Sequence, residues 1–340
     1  MLASRMRPHP MPNAANRSNR PTSPTRASRQ ARVAAQTRAL NAVLDRVRAA
    51  CDVEARLAAD PVGVVRRYAS ADDRELVALV AATVAFGNVK AIRTKLDDAL
   101  ARLGPRPSVV ASSPDELFRR LDGWIHRVYR GEDLARLLLG ARRLQMAHGS
   151  LGRFFAGELQ RTGSMREALA RLADGIRHEG GLPKGGASRV RPLTAPPDAV
   201  DAHDARDARE RRGPSHLLPD VRGSSGSKRL LLFLRWMVRS DDGVDLGLWP
   251  VSPSVLLVPV DTHIHKLARN LGLTKRRALS WKTTEEITAA LAKFDAADPA
   301  KYDFALCHMG MLQRCPSRRD AKKCEGCGVK PVCRHWQNGS

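Results

Sequence analysis

The chain has 340 residues, a formal net charge of +23 and 43% apolar residues. That is enough for one large or two ordinary domains, which excludes a wholly disordered protein. No stretch approaches the roughly 18 uninterrupted apolar residues of a membrane span, since "LLLFLRWMV" is short and broken by Arg235, so no membrane partner is expected.

Residues 1–40 carry eight arginines, no acid and no apolar core of a secretory signal. Residues 1–38 are expected to be a disordered basic tail, with an organellar targeting peptide or an overlong start as alternatives. The expected location is cytoplasmic. Residues 39–58 repeat apolar positions at helical spacing, and Asp60-Pro61 marks a break. The long run from Ser70 to Gly104 starts with a Ser/Asp cap and is expected to split into two helices at Phe86-Gly87-Asn88. "SPDELFRRL", "GEDLARLLLGARRLQMAHG" and "SLGRFFAGELQRTG" continue the helical pattern, and no run alternates as a strand would. The fold class is therefore all-α.

Residues 183–216 are rich in proline, glycine and alternating charge, and predict a disordered insertion. "SKRLLLFLRWMVRS" predicts a helix of about four turns. "VSPSVLLVPV" predicts an extended connector. "DTHIHKLARNLGL" opens on an aspartate cap and stops at Gly272. "KTTEEITAALAKFD" and "DPAKYDFALCHMGMLQ" predict two more helices.

Four of the six cysteines, Cys315, Cys324, Cys327 and Cys333, fall in one segment with the spacing C-x8-C-x2-C-x5-C. C-x2-C lets two thiolates reach one ion from a single turn, and four thiolates suit tetrahedral zinc or an iron–sulfur cluster. A single C-x2-C knuckle in one loop fits a cluster-binding loop better than a zinc ribbon, which usually has two. Seven lysines and arginines surround these cysteines (Arg314, Arg318, Arg319, Lys322, Lys323, Lys330 and Arg334), and such a loop suits phosphate. A plain solvated charged loop is the alternative.

In "LLVPVDTHIHKLARNLGL", Asp261 sits at a helix start. Most such aspartates are only N-caps. Residues 262–284, however, hold Lys266, Arg269, Lys275, Arg276, Arg277 and Lys282 and no acid. A lone carboxylate facing a phosphate-binding surface costs DNA affinity unless it does chemistry. His263 and His265 point apart on a helix, which argues against a metal pair.

Val260–Ile264 (V-D-T-H-I), followed about fifty residues later by the four-cysteine loop, resembles the helix-hairpin-helix DNA glycosylase superfamily, typified by endonuclease III. "DRELVALVAATVAFGNVKAI", "HRVYRGEDL", the segment from His216 to Trp249 and "KYDFALCHMGML" resemble, more closely, an uncharacterised, mostly bacterial branch of it. The resemblance implies two helical domains, residues 76–250 as a barrel and residues 40–75 with 254–336 as a discontinuous domain carrying a [4Fe–4S] loop. It implies a monomer that binds double-stranded DNA, flips a damaged base into a cleft and cuts its N-glycosidic bond, with AP lyase activity if a lysine attacks.

Asp261 then stabilises charge developing on the sugar. Lys228 is the candidate nucleophile, with Arg229 as the neighbouring cation that keeps its amine neutral; a phosphate contact is the alternative for Lys228. The Lys228–Asp261 interval of 33 residues is wider than in endonuclease III and resembles archaeal 8-oxoguanine glycosylases. The hairpin occupies Leu218–Lys228, where Gly223, Ser224 and Gly226 are expected to present N–H groups to phosphate, beside Arg229. Asn88 sits where the superfamily probes the vacated duplex. His126 and Arg127 are expected at the base pocket or a phosphate, and Lys266 on the DNA face. The rival reading is a non-catalytic DNA-binding repair factor, or a zinc-stabilised nucleic-acid-binding protein.

Overall fold

The computed structural model describes residues 25–182 and 216–337. The expected insertion, apart from His216, and most of the expected tail lie outside the described residues. Within them the chain is mostly helical, with one two-stranded ladder pairing Ile125 with Arg130 and His126 with Tyr129.

Helix α1 (Arg26–Ala49) opens on Thr25, whose hydroxyl accepts the Ser28 N–H. It therefore begins inside the segment read as tail. Alanine, arginine and glutamine supply helix propensity there without a buried face, and only near Val43 and Leu44 does α1 enter the core. The expected helix over 39–58 is broken at Cys51. Asp52 then caps α2 (Val53–Leu57), and α3 (Val62–Val65) follows Pro61.

Helix α4 (Ala71–Val84) is capped by Ser70 and buried almost all round. It packs on α3, on α8 (Gly131–His148) and on α11 (Lys228–Val238). The expected split falls where the sequence put it: α5 (Val89–Leu103) starts on the Asn88 cap and ends at Gly104, whose φ of 76° favours glycine. Two short helices, α6 (Pro107–Ala111) and α7 (Pro114–Leu121), lead to β1 (Ile125–His126), β2 (Tyr129–Arg130) and α8.

Helices α9 (Leu151–Thr162) and α10 (Met165–Gly180) close this bundle against α8. Gly140 on α8 and Gly180 on α10 let two backbones touch. A Cβ on Gly140 would collide with the Ile176 carbonyl, and one on Gly180 with that of Arg136. Buried Glu75 ties α4 to the rest. Its carboxylate accepts from Gln145 Nε2 (2.8 Å), the Leu151 and Gly152 amides at the head of α9 (3.0 and 3.1 Å), and Trp249 Nε1 (2.7 Å). Four donors and a helix N-terminus make this buried charge tolerable.

After α11, about three turns long, the chain crosses a loop and an extended connector. It then forms α12 (Thr262–Leu271), α13 (Trp281–Ala292), α14 (Asp303–Leu312) and α15 (Arg334–Gln337). Helix α12 packs on α14. Helix α1 packs on α14 and on the 3-10 turn Lys330–Val332. The Tyr302 hydroxyl donates to Asp45 Oδ1 at 2.8 Å, and His308 Nε2 lies 3.2 Å from Asp60 Oδ2, so chain ends far apart in sequence meet here.

Candidate functional site

The extended connector sets Asp261 in place. Leu256, Val258 and Val260 alternate into the core, and the Val258 N–H donates to Thr288 Oγ1 at 3.0 Å. Asp261 follows as the N-cap of α12. Its Oδ1 accepts the His263 and Ile264 amides at 2.9 and 2.8 Å, and its Oδ2 lies 3.7 Å from the Cys307 thiol. Both oxygens are thus engaged, and the carboxylate is held in one orientation.

Lys228 is the first residue of α11. Ser227 before it has φ 46°, in the left-handed region, is buried, and its hydroxyl has no hydrogen-bond partner. A non-glycine residue there costs on the order of 1–3 kcal/mol and persists only when its surroundings impose it. Here the turn swings the chain into the helix that starts with Lys228. Lys228 and Asp261 line one cavity of about 720 Å³, together with Asp303, Cys307 and His308. That volume suits a ligand the size of a nucleobase and its sugar.

The cavity wall is electrostatically uneven. Burial pushes the Asp303 carboxyl up to about 6; Arg235 opposes this and Asp261 adds to it. Burial also raises the Cys307 thiol well above its usual range, and the Asp261 carboxylate adds to that, so Cys307 is a protonated donor at neutral pH. Burial would raise Asp60 as well, but bonds from His308 and the Val62 amide outweigh it and hold that carboxyl below its usual value. Asp303, Cys307, His308 and Asp60 were not singled out from sequence. The available signal was an acid, a cysteine and a histidine, Asp303, Cys307 and His308, within about one turn of a mainly apolar helix.

Of the two expected phosphate-facing glycines, Gly223 is not on the cavity wall and donates its N–H to the Asp220 carbonyl at 3.3 Å. The Val221 and Gly223 carbonyls are bound by Arg166 at 3.0 and 2.6 Å, and the Ser224 carbonyl accepts the Trp281 amide at 3.1 Å. Gly226 and Ser225 border the cavity itself. Lys266 is exposed and shares a basic hollow of about 310 Å³ with Arg269, Lys275, Ser317 and Arg334. Asn88 is exposed, and its Oδ1 accepts the Ala91 amide at 3.2 Å as an N-cap. Arg127 is exposed at the tip of the β1–β2 turn with φ 56°, its guanidinium over Phe86 and against Gly87.

Two expected contacts need correcting. Arg229 turns inward, donating to the Thr83 carbonyl at 2.7 Å, to the Tyr129 hydroxyl and to the His216 carbonyl. A guanidinium committed this way serves neither as a phosphate contact nor as a cation held for the Lys228 amine. It works in an aromatic cluster of buried Tyr129, half-buried Phe86 and His216 at the surface edge, where desolvation takes Tyr129 up to about 12 and His216 down to about 4, and the Tyr129 hydroxyl lies 2.7 Å from His216 Nδ1. His126 is buried beside Phe86, and burial lowers its pKa, so it is a core residue rather than a phosphate ligand.

The four clustered cysteines line one small cavity of about 20 Å³. Asn270 Nδ2 donates to Cys315 Sγ at 3.2 Å. Among the described residues, no group of three or more His, Cys, Asp or Glu side chains is arranged to hold a metal ion. None of the helices described is long and apolar enough to cross a membrane.

A family model described as "Protein of unknown function (DUF2400)" matches residues 60–312. The chain belongs to the DUF2400 family. No curated protein and no solved structure matches it. This corrects the family expected from the VDTH segment and the cysteine loop: the matching family is DUF2400, and no helix-hairpin-helix glycosylase family is found. Two short landmarks at a plausible interval were not sufficient for that assignment. The DUF2400 match spans Asp60, Lys228, Asp261, Asp303, Cys307 and His308, and ends before Cys315. These six cavity residues therefore lie within the family's common region, and the cysteine loop lies beyond it.

Proposed function

We propose that this DUF2400 protein is a DNA N-glycosylase that removes a damaged base from duplex DNA, with an AP lyase step carried by Lys228. The observation that carries the reading is that Lys228 and Asp261, 33 residues apart in sequence, line one base-sized cavity. An amine and an oriented carboxylate together are the minimum set for cleaving an N-glycosidic bond through a covalent sugar adduct. The basic hollow around Lys266 and the net charge of +23 support a polyanionic partner.

In this reading a base is extruded from the duplex into the cavity. Asp261, fixed by two amides and a thiol, faces the positive charge that grows on the sugar as the bond breaks. Lys228 Nζ attacks C1′, and the resulting Schiff base permits strand cleavage. The cavity then lies between two helical parts, α4–α11 and the pair formed by α1–α3 with α12–α15. The Tyr302–Asp45 and His308–Asp60 contacts support that pairing. The protein acts as a monomer in the nucleoid-containing cytoplasm.

The cysteine loop is proposed to hold a [4Fe–4S] cluster. The support is that four thiols line one cavity and that one of them, Cys315, receives the Asn270 side-chain N–H. When bound, such a group would stiffen the loop that carries Arg318, Arg319 and Lys322. Cys315, Cys324, Cys327 and Cys333 would be its ligands.

A panel of lesion-containing duplexes, oxidised purines first and oxidised pyrimidines second, tests the reading. Asp261→Asn should abolish base release while leaving duplex affinity within about twofold, because it removes charge but little volume. If the unaltered protein binds every duplex and releases no base, a non-catalytic DNA-binding factor becomes the better reading.

A further inference from the structure

Asp303 has no part in the reaction proposed for Lys228 and Asp261. It opens α14, is 3% exposed, and forms part of the cavity wall with Lys228 and Asp261. Its two oxygens have different fates. Oδ2 is paired with the Arg235 guanidinium from α11, whereas Oδ1 is buried and has no hydrogen-bond partner. A buried carboxylate oxygen without a donor is costly, and such orphans concentrate where a proton or substrate completes them.

The surrounding charges point the same way. Arg235 and Arg239 serve Asp245 and Asp303, and Arg239 also meets Asp242 and Asp298. Two guanidiniums thus answer four carboxylates, and one added proton relieves the excess. The other groups facing Asp303 are Lys228 from α11, Asp261 at the head of α12, and Cys307 on its own helix, with the Asp60–His308 pair one step further. Asp261 favours protonation of Asp303, while Arg235 and Lys228 oppose it.

We propose that Asp303 is the proton store of this site: its Oδ1 takes a proton from the Lys228 ammonium and returns it to the departing base. The inference rests on the reading of Lys228 as nucleophile. The proton leaves Nζ for Oδ1. The freed lone pair forms the Nζ–C1′ bond, and the electron pair of the C1′–base bond leaves with the base. The base then takes the proton from Asp303, which ends as a carboxylate beside a cationic secondary amine. Charge and protons balance with no further reactant.

The test combines one readout of activity with one that needs none. In single-turnover base release, the unaltered protein should lose rate as pH falls through about 6, because a protonated Asp303 cannot accept the Lys228 proton. Asp303→Asn should be slower by about 10²-fold, the low end for general acid–base catalysis, and lack that limb. Asp303→Glu should restore part of both. Circular dichroism checks that the variants fold. Difference infrared spectroscopy of the unaltered protein should show a protonated carboxyl band that fades as pH rises through about 6 and is missing in Asp303→Asn. An Asp303→Asn protein with unchanged rate and limb, or no such band, overturns the inference while leaving the glycosylase reading intact. If the unaltered protein releases no base, the glycosylase reading itself falls, and the inference with it.

Discussion

The Cys307 thiol lies 3.7 Å from Asp261 Oδ2, while the two amides that cap α12 are accepted by the other oxygen, Oδ1. Burial and the Asp261 charge keep the thiol protonated, so it donates rather than attacks. Cys307→Ala should therefore loosen Asp261. A lost hydrogen bond of about 1 kcal/mol corresponds to about a fivefold fall in base release. Duplex affinity should not change, and Cys307→Ser should keep most of the rate. Equal rates in the alanine and serine variants, whether high or low, would show that the thiol does not orient Asp261.

Much of this was legible in the sequence, for identifiable reasons. Asn88, Ser70, Asp261 and Gly272 are terminal residues whose capping chemistry is local, so the helix ends they mark could be read directly. Lys228 and Asp261 were brought together in the sequence only by the resemblance to the glycosylases; it is the fold that puts both on the wall of one cavity. Arg229 could not be told from Lys228, since neighbours on a helix differ by about 100° in direction and only the packed structure shows which one turns inward. Asp303 resembled an ordinary first-turn acid. Its significance comes from Arg235, 68 residues away in sequence, and from an oxygen left without a partner. The start of α1 at Arg26 was hidden because that stretch forms a helix by propensity, without the buried stripe that a sequence pattern reveals.

The cysteine loop predicts a brown protein. Anaerobic purification should give about four iron and four labile sulfide per chain, as a [4Fe–4S] cluster requires, with absorption near 400 nm. Replacing Cys324 by serine should remove both the colour and most of the bound iron. One zinc per chain with no labile sulfide would contradict the cluster.

Duplex affinity should fall steeply with salt. If Lys266, Arg269, Lys275 and Arg334 each neutralise a phosphate, log K against log salt should have a slope near −4 from these four alone, at roughly −0.9 per contact. Lys266→Ala should weaken binding to every duplex alike and reduce the slope by about 1. A flat salt dependence would remove the basic hollow from the binding surface.

Gly140 should tolerate no side chain. A Cβ there would collide with the Ile176 carbonyl and force α8 away from α10. Gly140→Ala should lower stability by about 1–3 kcal/mol, the usual cost of overpacking a core, read from urea unfolding. Gly157, with nothing near its Cβ position, should accept alanine without loss. Equal stability of the two variants would contradict the close crossing of α8 and α10.

The proposed nucleophile, Lys228, attacks a sugar carbon in the cavity it shares with Asp261. Borohydride trapping on lesion-containing and abasic duplexes tests it most directly, because reduction turns a Schiff base into a permanent protein–DNA bond. The unaltered protein should give a trapped adduct whose peptide map places the DNA on Lys228, and Lys228→Gln should give none while its circular dichroism and duplex binding match those of the unaltered protein. Trapping that survives Lys228→Gln, or an adduct on any other residue, would contradict attack by Lys228.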